Sequence, residues 1–419
     1  MARISGNGIE ILEVGPAVAG VYPSVELPGC VLTPGLVNAH CHLDLTHIGP
    51  LPLSERGFSG FVDEVRARRH TDPPAIHASV EAGVSLSRSG GVVAVGDICG
   101  AVRGGADLEA FSALARSGML GVGFLEFFAM GDSTDRALGR LEAAWAGATG
   151  NGRMSVGLQP HAPYSVCRKG YRRAAALAGA RGAILATHVA ESPAEHEFVG
   201  SAAGPQRALL ETLGLWNDGL LGEFGLHKTP LEQIADLFDE GQKVLLVHLN
   251  DISDEDLKRL ERLNERVELS VAYCPRASDY FRTAESFGPH RYREMTKAGI
   301  NVCLGTDSII NLPEAEVCGE AGRICPADDA AHLARRDGAD PLGLLAMMTS
   351  CGARALGLRS DEFEFRPGAT LAGICVVRPH GPAIADERGV DLWARALLKG
   401  FEIALVDRGG RVRNGAVLA

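Results

Sequence analysis

The feature that most constrains this chain is a count of alternations. Eight short apolar runs alternate with longer Ala-, Leu-, Arg- and Glu-rich segments, and no repeat, low-complexity block or linker interrupts the series. The runs are CVLTPGLVNAH (30–40), GVVAVGD (91–97), GVGFLEFF (121–128), SVGLQPH (155–161), AILATHVAE (183–191), KVLLVHLN (243–250), VELSVAYCP (267–275) and INVCLGTDS (300–308). Strand-like runs separated by helical segments call for a parallel sheet. Several of the intervening segments, such as ADLEAFSALARSG and KGYRRAAALAGARG, end at glycine, the usual helix stop. Eight such units over roughly 270 residues match the size of a (β/α)8 TIM barrel. A doubly wound open sheet is the competitor, because periodicity does not say whether a sheet closes. Short strand-like pieces lie outside the series, in 1–29 (GIEILEVG) and 366–419 (AGICVVRP, FEIALVDRGGRVRNGAVLA). These two ends are expected to pair into one small β-sandwich domain beside a catalytic barrel of residues 30–365.

The polar residues of the eight runs gather at one end of each. The first finishes in His40-Cys41-His42, where residues two apart point to the same side of a strand. The fourth ends in Gln159-Pro160-His161, the fifth in His188 with Glu191 three residues on, the sixth in His248 and the eighth in Asp307. In a barrel all C-terminal strand ends meet on one rim, which carries the active site. Five histidines and two carboxylates on that rim form a metal-site constellation rather than a lone motif. The remaining histidines (47, 70, 77, 196, 227, 290 and 332) fall off the strand ends and read mostly as surface residues.

Composition narrows the partners. Forty-one basic against 52 acidic residues give a net charge of −11, which argues for solubility and against a nucleic-acid partner. The ten cysteines form no C-x-x-C pair, no apolar stretch is long enough to span a bilayer, and no signal peptide is expected. A soluble cytoplasmic protein with reduced thiols is expected.

The ordered set PGLVNAHCH, THVAES, LVHLND and LGTDS, with GLQPHAPYSV (157–166), YCPRAS (273–278) and MTSCGARALGL (348–358), resembles the amidohydrolase superfamily. More narrowly it resembles the metal-dependent deaminase and chlorohydrolase branch, which includes guanine, cytosine, adenosylhomocysteine and aminodeoxyfutalosine deaminases. The resemblance runs through nearly the whole chain. It implies that His40, His42, His188 and Asp307 bind one divalent ion, Zn²⁺ first and Fe²⁺ second, in keeping with three imidazoles and a carboxylate. It also implies that Asp307 takes a proton from water, that His248 hydrogen-bonds that water, and that His161 contacts substrate. Glu191 is expected to shuttle protons to a ring nitrogen and to departing ammonia. Helix capping by ESPAEHE accounts for Ser192 and Glu195 but not for Glu191.

Binuclear relatives carry a bridging lysine at the end of strand 4. Gln159-Pro160-His161 stands there instead, and Lys169 lies beyond the strand, so one metal is expected. Arg276 reads either as a substrate contact or as the partner of an acidic neighbour such as Asp279. PRAS in place of P-x-S-N, and TLAGICVV in place of an Ala-Asp-Leu pattern, leave the subfamily open. The leading expectation is hydrolytic deamination of an amino-substituted heteroaromatic ring, a purine, pterin or aminodeoxyfutalosine-like compound. Displacement of chloride or an alkylamine from a ring, and a non-catalytic barrel acting as a binding module, are the alternatives. Specificity is expected in LPLSERGFSGFVDEVRARR and after strands 3 and 7. A homodimer is expected on resemblance alone.

Overall fold

Each of the eight apolar runs supplies one strand of a single parallel sheet. In the computed structural model, which describes residues 2–5, 8–11, 27–319, 321–382, 384, 387, 389–407 and 412–413, these are β1 (Leu36–Cys41), β2 (Val92–Cys99), β3 (Leu120–Phe127), β4 (Met154–Pro160), β5 (Leu185–Val189), β6 (Lys243–His248), β7 (Glu268–Tyr273) and β8 (Asn301–Leu304). Neighbours in the sheet follow chain order from β1 to β8. The sheet then closes. The backbone N–H groups of Thr306 and Asp307, just past β8, donate to the His40 carbonyl at 3.0 and 3.1 Å. Asn38 of β1 and Thr306 exchange two further bonds, at 2.8 and 3.0 Å. Closure removes the open-sheet alternative and makes the fold a TIM barrel.

Residues of β2 and β3 are buried at every position, as expected of strands covered by helices outside and packed side chains inside. The helix Pro73–Ser89 shows how the cover forms. Asp72 caps it by accepting from the Ala75 amide at 3.4 Å, proline opens it, and Ile76, Val80 and Val84 make a buried stripe at four-residue spacing.

The first run differs from its expected form. Val31–Pro34 leaves the barrel and pairs antiparallel with Gly373–Pro379, so the run 30–40 is two strands joined at Gly35. A Cβ on Gly35 would stand 2.7 Å from the Val93 side chain, and its amide donates to Gly373 O at 2.8 Å. The sheet containing Val31–Pro34 continues through Phe401–Asp407 to Val412–Arg413. A second antiparallel sheet joins Ala2–Ser5, Gly8–Ile11 and Thr370–Leu371. Ile9, Ile11 and Leu371 of this sheet pack with Ile374 and Val406 of the other. Both small sheets therefore draw strands from both ends of the chain. Within the terminal segments 1–29 and 366–419, residues 1, 6–7, 12–26, 383, 385–386, 388, 408–411 and 414–419 lie outside the described residues. All ten cysteines are unpaired, and no helix among the described residues is long and apolar enough to cross a membrane.

Candidate metal centre and active site

The end of β1 sets the geometry. His40 and His42, two residues apart, both point into the barrel mouth, while Cys41 between them turns its thiol toward Gly96 and Asp97 of β2. Nε2 of His40 and of His42 stand 3.5 and 3.4 Å from Oδ1 of Asp307. The His188 ring lies 5.0 Å from that of His40 and 5.4 Å from that of His42, centroid to centroid. The predicted ligand quartet thus converges from β1, β5 and the residue group just past β8.

A divalent ion fits these residues. His40 is fully buried, yet both its ring nitrogens lack a hydrogen-bond partner, and so does Nδ1 of His42. A buried polar atom without a partner costs free energy unless something unseen satisfies it. Burial pushes the His40 and His188 imidazoles down to about 3, and His42 and His248 well below the usual histidine range. Four neutral imidazoles therefore keep their lone pairs, the state in which histidine ligates a metal. His188 is oriented from behind. Its Nδ1 lies 3.1 Å from the His161 carbonyl and 3.3 Å from the Gln159 side chain, so the carbonyl takes the Nδ1 proton and Nε2 is left bare toward the mouth. With Nδ1 protonated, the Gln159 amide at 3.3 Å is a packing neighbour of His188 and not a hydrogen-bond donor to it. Lys169 is on the surface, paired with Asp135.

Four non-glycine residues at the site hold left-handed backbone: Ala190 (φ 55°), His248 (φ 76°), Leu249 (φ 53°) and Asp307 (φ 58°). Such residues cost on the order of 1–3 kcal/mol each and persist only when the surroundings hold them. The holding groups are visible. Amides of Asn250 and Asp251 donate to the Ala190 carbonyl at 2.9 and 3.1 Å, and His290 Nε2 donates to the His248 carbonyl at 2.7 Å. His290 is itself fixed in that tautomer, because its Nδ1 accepts from the Tyr292 amide at 3.0 Å. It is also stacked on Tyr273 at 3.7 Å, so it braces the site rather than belonging to the surface.

The turn at Ala190 carries the chain back over the mouth, where Glu191 stands 3.6 Å from His248 Nε2. Its amide donates to Glu195 Oε2 at 2.8 Å, and its carbonyl accepts from Asn250 Nδ2 at 3.1 Å. Ser192 caps the helix Pro193–Ser201 as expected, accepting from the Glu195 amide at 3.3 Å, while the Glu191 carboxyl takes no part in the cap. Burial first, then the negative charges of Asp307 and Glu195, push the Glu191 carboxyl well above the usual carboxylate range.

A cavity of about 730 Å³ opens above these groups, lined at its floor by His42, His188, Glu191, His248 and Asp307. His161 lines it too, its Nδ1 2.7 Å from Ser165 Oγ and its ring 4.5 Å from that of Phe128. Arg276 does not. Its guanidinium is buried against Asp329 and Glu316 and donates to the Cys325 carbonyl, so the substrate-contact expectation for Arg276 is corrected. Asp279, the partner proposed for it, binds His332 and Arg336 instead.

Two site residues escaped the sequence reading. Glu126, at the end of β3, faces His161 Nε2 at 4.0 Å, and Arg69 lies 3.5 Å from Glu126 and 3.2 Å from Asp44. Glu126 is a polar residue at a strand end, and the rim rule points to it. Arg69 carries no such signal of its own, though it closes LPLSERGFSGFVDEVRARR, the stretch expected to carry specificity. The walls come from the helix Gly57–Arg68 and from the segments after β2 (Ala101 to Gly105), β3, β4 (His161 to Ser165) and β5 (Gln206 to Leu215), rather than from the segment after β7.

Comparison with known proteins agrees with this geometry. The model of the Amidohydrolase family matches residues 31–368. Aminodeoxyfutalosine deaminase of Deinococcus radiodurans is 28% identical over 363 residues, covering 81% of this chain and 77% of that protein. The 5-methylthioadenosine/S-adenosylhomocysteine deaminase of Moorella thermoacetica is 28% identical over 408 residues, covering 90% and 82%. Among solved structures, Helicobacter pylori aminofutalosine deaminase with methylthio-coformycin aligns with a TM-score of 0.69 at 23% identity, covering 91% of this chain and 87% of that one. A mutant Arthrobacter aurescens atrazine chlorohydrolase with zinc and atraton aligns with a TM-score of 0.69 at 18% identity, covering 98% and 89%. The structural likenesses are likenesses of fold.

Proposed function

The chain belongs to the amidohydrolase family, and from its site we propose that it hydrolytically deaminates an amino-substituted heteroaromatic ring, with purine nucleosides as the leading substrate class. The observation that carries this reading is the buried pair Glu191–His248, 3.6 Å apart, set beside the convergent donors of His40, His42, His188 and Asp307. Those four residues would hold one divalent ion, Zn²⁺ by the nitrogen-rich donor set. Such an ion supplies Lewis acidity that makes water a competent nucleophile near neutral pH.

The side chains divide the remaining work. Asp307, within 3.5 Å of both His40 and His42, accepts a proton from the water. His248, neutral in its buried place, orients that water by a hydrogen bond. Glu191 holds a proton by virtue of its burial and delivers it to the ring nitrogen as the water oxygen bonds to the amine-bearing carbon. It then takes the proton of the added hydroxyl, passes it to the amine as the carbon–nitrogen bond breaks, and is reset by the proton on Asp307. His161 and Phe128 face the substrate ring from the side wall. Chloride departure needs no proton donor, so the Glu191 carboxyl favours amine loss over dechlorination. A non-catalytic barrel would dispense with some ligands, and here all four are present.

The deaminase relatives support this class. The test is ammonia release from adenine nucleosides by zinc-loaded and by chelator-stripped enzyme. Metal-dependent release is expected. Release of halide or alkylamine without ammonia, across a panel of heterocycles, would overturn the proposal.

A further inference from the structure

The turn that carries Glu191 over the mouth is held by groups that the proton transfer itself does not use. Ser192 caps the helix Pro193–Ser201, and the third helical residue is Glu195. In a reciprocal cap that side chain reaches back to the amide of the capping residue. Ser253 and Asp256 do so at the start of the helix Asp254–Asn264. Glu195 reaches one residue further. Its Oε2 accepts from the Glu191 amide at 2.8 Å, and the Ala190 amide faces the same carboxyl.

This placement is unfavourable for the helix alone. Glu195 is fully buried, its Oε1 has no hydrogen-bond partner, and among the described residues no cation pairs with it. The neighbouring acids Glu191 and Asp251 make its charge less favourable still. A buried carboxyl without a cation is destabilising, whereas an exposed one would complete the cap at Ser192. What the buried carboxyl holds is the backbone of residues 190 and 191. The carbonyl side of the same two peptides is held from the end of β6. The Asn250 amide donates to the Ala190 carbonyl at 2.9 Å, and Asn250 Nδ2 to the Glu191 carbonyl at 3.1 Å. Ser278, buried just past β7 in PRAS, donates from Oγ to Asn250 Oδ1 at 2.7 Å, which keeps Nδ2 turned toward Glu191. Ala190 has a φ of 55°, a conformation that persists only when its surroundings hold it.

We infer that Glu195 is a positioning residue for the deamination: with Asn250 and Ser278 it holds the backbone of residues 190–191, so that the Glu191 carboxyl stays over the mouth beside His248. The inference rests on the deaminase reading of Glu191. Glu195, Asn250 and Ser278 line no part of the cavity, so they act through Glu191 and not on the substrate. A reacting group misplaced by about 1 Å loses on the order of 10² in rate. Metal and substrate binding use other residues and are left as they are.

The experiment measures kcat, KM and zinc content for Glu195→Leu and Glu195→Gln, each alone and combined with Glu191→Gln. The zinc-loaded enzymes are assayed at neutral pH, below the value of about 8 to which burial raises Glu195. Leucine removes the acceptor along with the buried carboxyl, and glutamine keeps an acceptor of the same shape. Glu195→Leu is expected to lower kcat by about tenfold to a hundredfold with KM and zinc unchanged, and Glu195→Gln to restore most of that loss. Once Glu191 is replaced by glutamine, Glu195→Leu should cost nothing further, because residues that serve one function are not additive. Wild-type kcat in Glu195→Leu, an equal fold loss in both backgrounds, or a Glu195→Gln enzyme as slow as Glu195→Leu would overturn the inference. If Glu195→Leu fails to fold, Ser278→Ala is judged by the same loss in kcat and the same non-additivity. If no aminated heterocycle releases ammonia even with the wild type, the deaminase reading fails separately, and hydrogen exchange judges the hold. The Glu191 amide should then exchange about tenfold or more faster in Glu195→Leu than in the wild type and Glu195→Gln, and equal exchange removes it.

Discussion

Replacing Glu191 by glutamine tests the chemistry with little structural cost. The side chain keeps its shape, and the bonds that fix this residue go to its backbone, from Asn250 to its carbonyl and from its amide to Glu195. The turn at Ala190 is held separately by the Asn250 and Asp251 amides. None of the four expected metal ligands is altered, so metal content should remain that of the wild type. What disappears is the proton that burial keeps on the carboxyl. A positioned acid–base group is worth about 10²–10⁴ in rate. This corresponds to about 3–5 kcal/mol in the barrier at 1.36 kcal/mol per decade. The assay is kcat for ammonia release beside metal content by mass spectrometry, with KM recorded to show that substrate still binds. A Glu191→Gln enzyme within about threefold of wild-type kcat would refute the reasoning, since a shuttle loss is worth at least about a hundredfold. The proton route would then have to run through Asp307 and His248.

Four further outcomes follow from the same contacts. Asp307→Asn should lower metal content and turnover together, because the amide is a poorer ligand and no base; full metal occupancy would separate Asp307 from the ligand set. His290→Phe keeps a ring on Tyr273 but loses the 2.7 Å bond to the His248 carbonyl, so kcat should fall while metal content and KM hold. Burial raises the Glu195 carboxyl to about 8, so the folded state keeps a proton that the unfolded chain releases above pH 4.5. Stability should therefore fall as pH rises from about 4.5 to 8, and Glu195→Gln should flatten that slope in urea titrations. Arg276→Met strands Asp329, which is fully buried, and should cost about 3–5 kcal/mol of stability, much of it restored by Asp329→Leu; an unchanged unfolding midpoint in the single variant would contradict the pairing.

The barrel was legible because every strand is an apolar run of its own, and buried parallel strands leave little room for polar residues until they end. Closure was not, since it depends on Thr306 and Asp307 reaching the His40 carbonyl, a contact between residues more than two hundred and sixty apart. The first run misled for a local reason. Pro34 and Gly35 sit inside an otherwise apolar stretch, and that pair is where the chain passes from one sheet to another. Proline and glycine inside a strand pattern mark such a break.

Reading the site depended on which property decides a residue's role. His40, His42, His188 and His248 lie together at the mouth, where strand period and strand end lead one to expect them. Arg276 shows where that rule stops. It follows β7 directly, but it lies in the first turn of the helix Pro275–Tyr280, and its guanidinium runs away from the mouth to Asp329, 53 residues on. Glu126 obeys the rule, and a strict application would have named it. Arg69 lies outside any strand, and its place depends on Gly100, where a Cβ would stand 2.1 Å from its guanidinium. Strand ends thus predict where catalytic groups are anchored. Much of the cavity wall comes from long connections such as 49–72 and 202–217, which pack against each other through Phe58, Leu210 and Leu215. The first holds the stretch in which the sequence led us to expect specificity, whereas the place of the second is decided only by that packing.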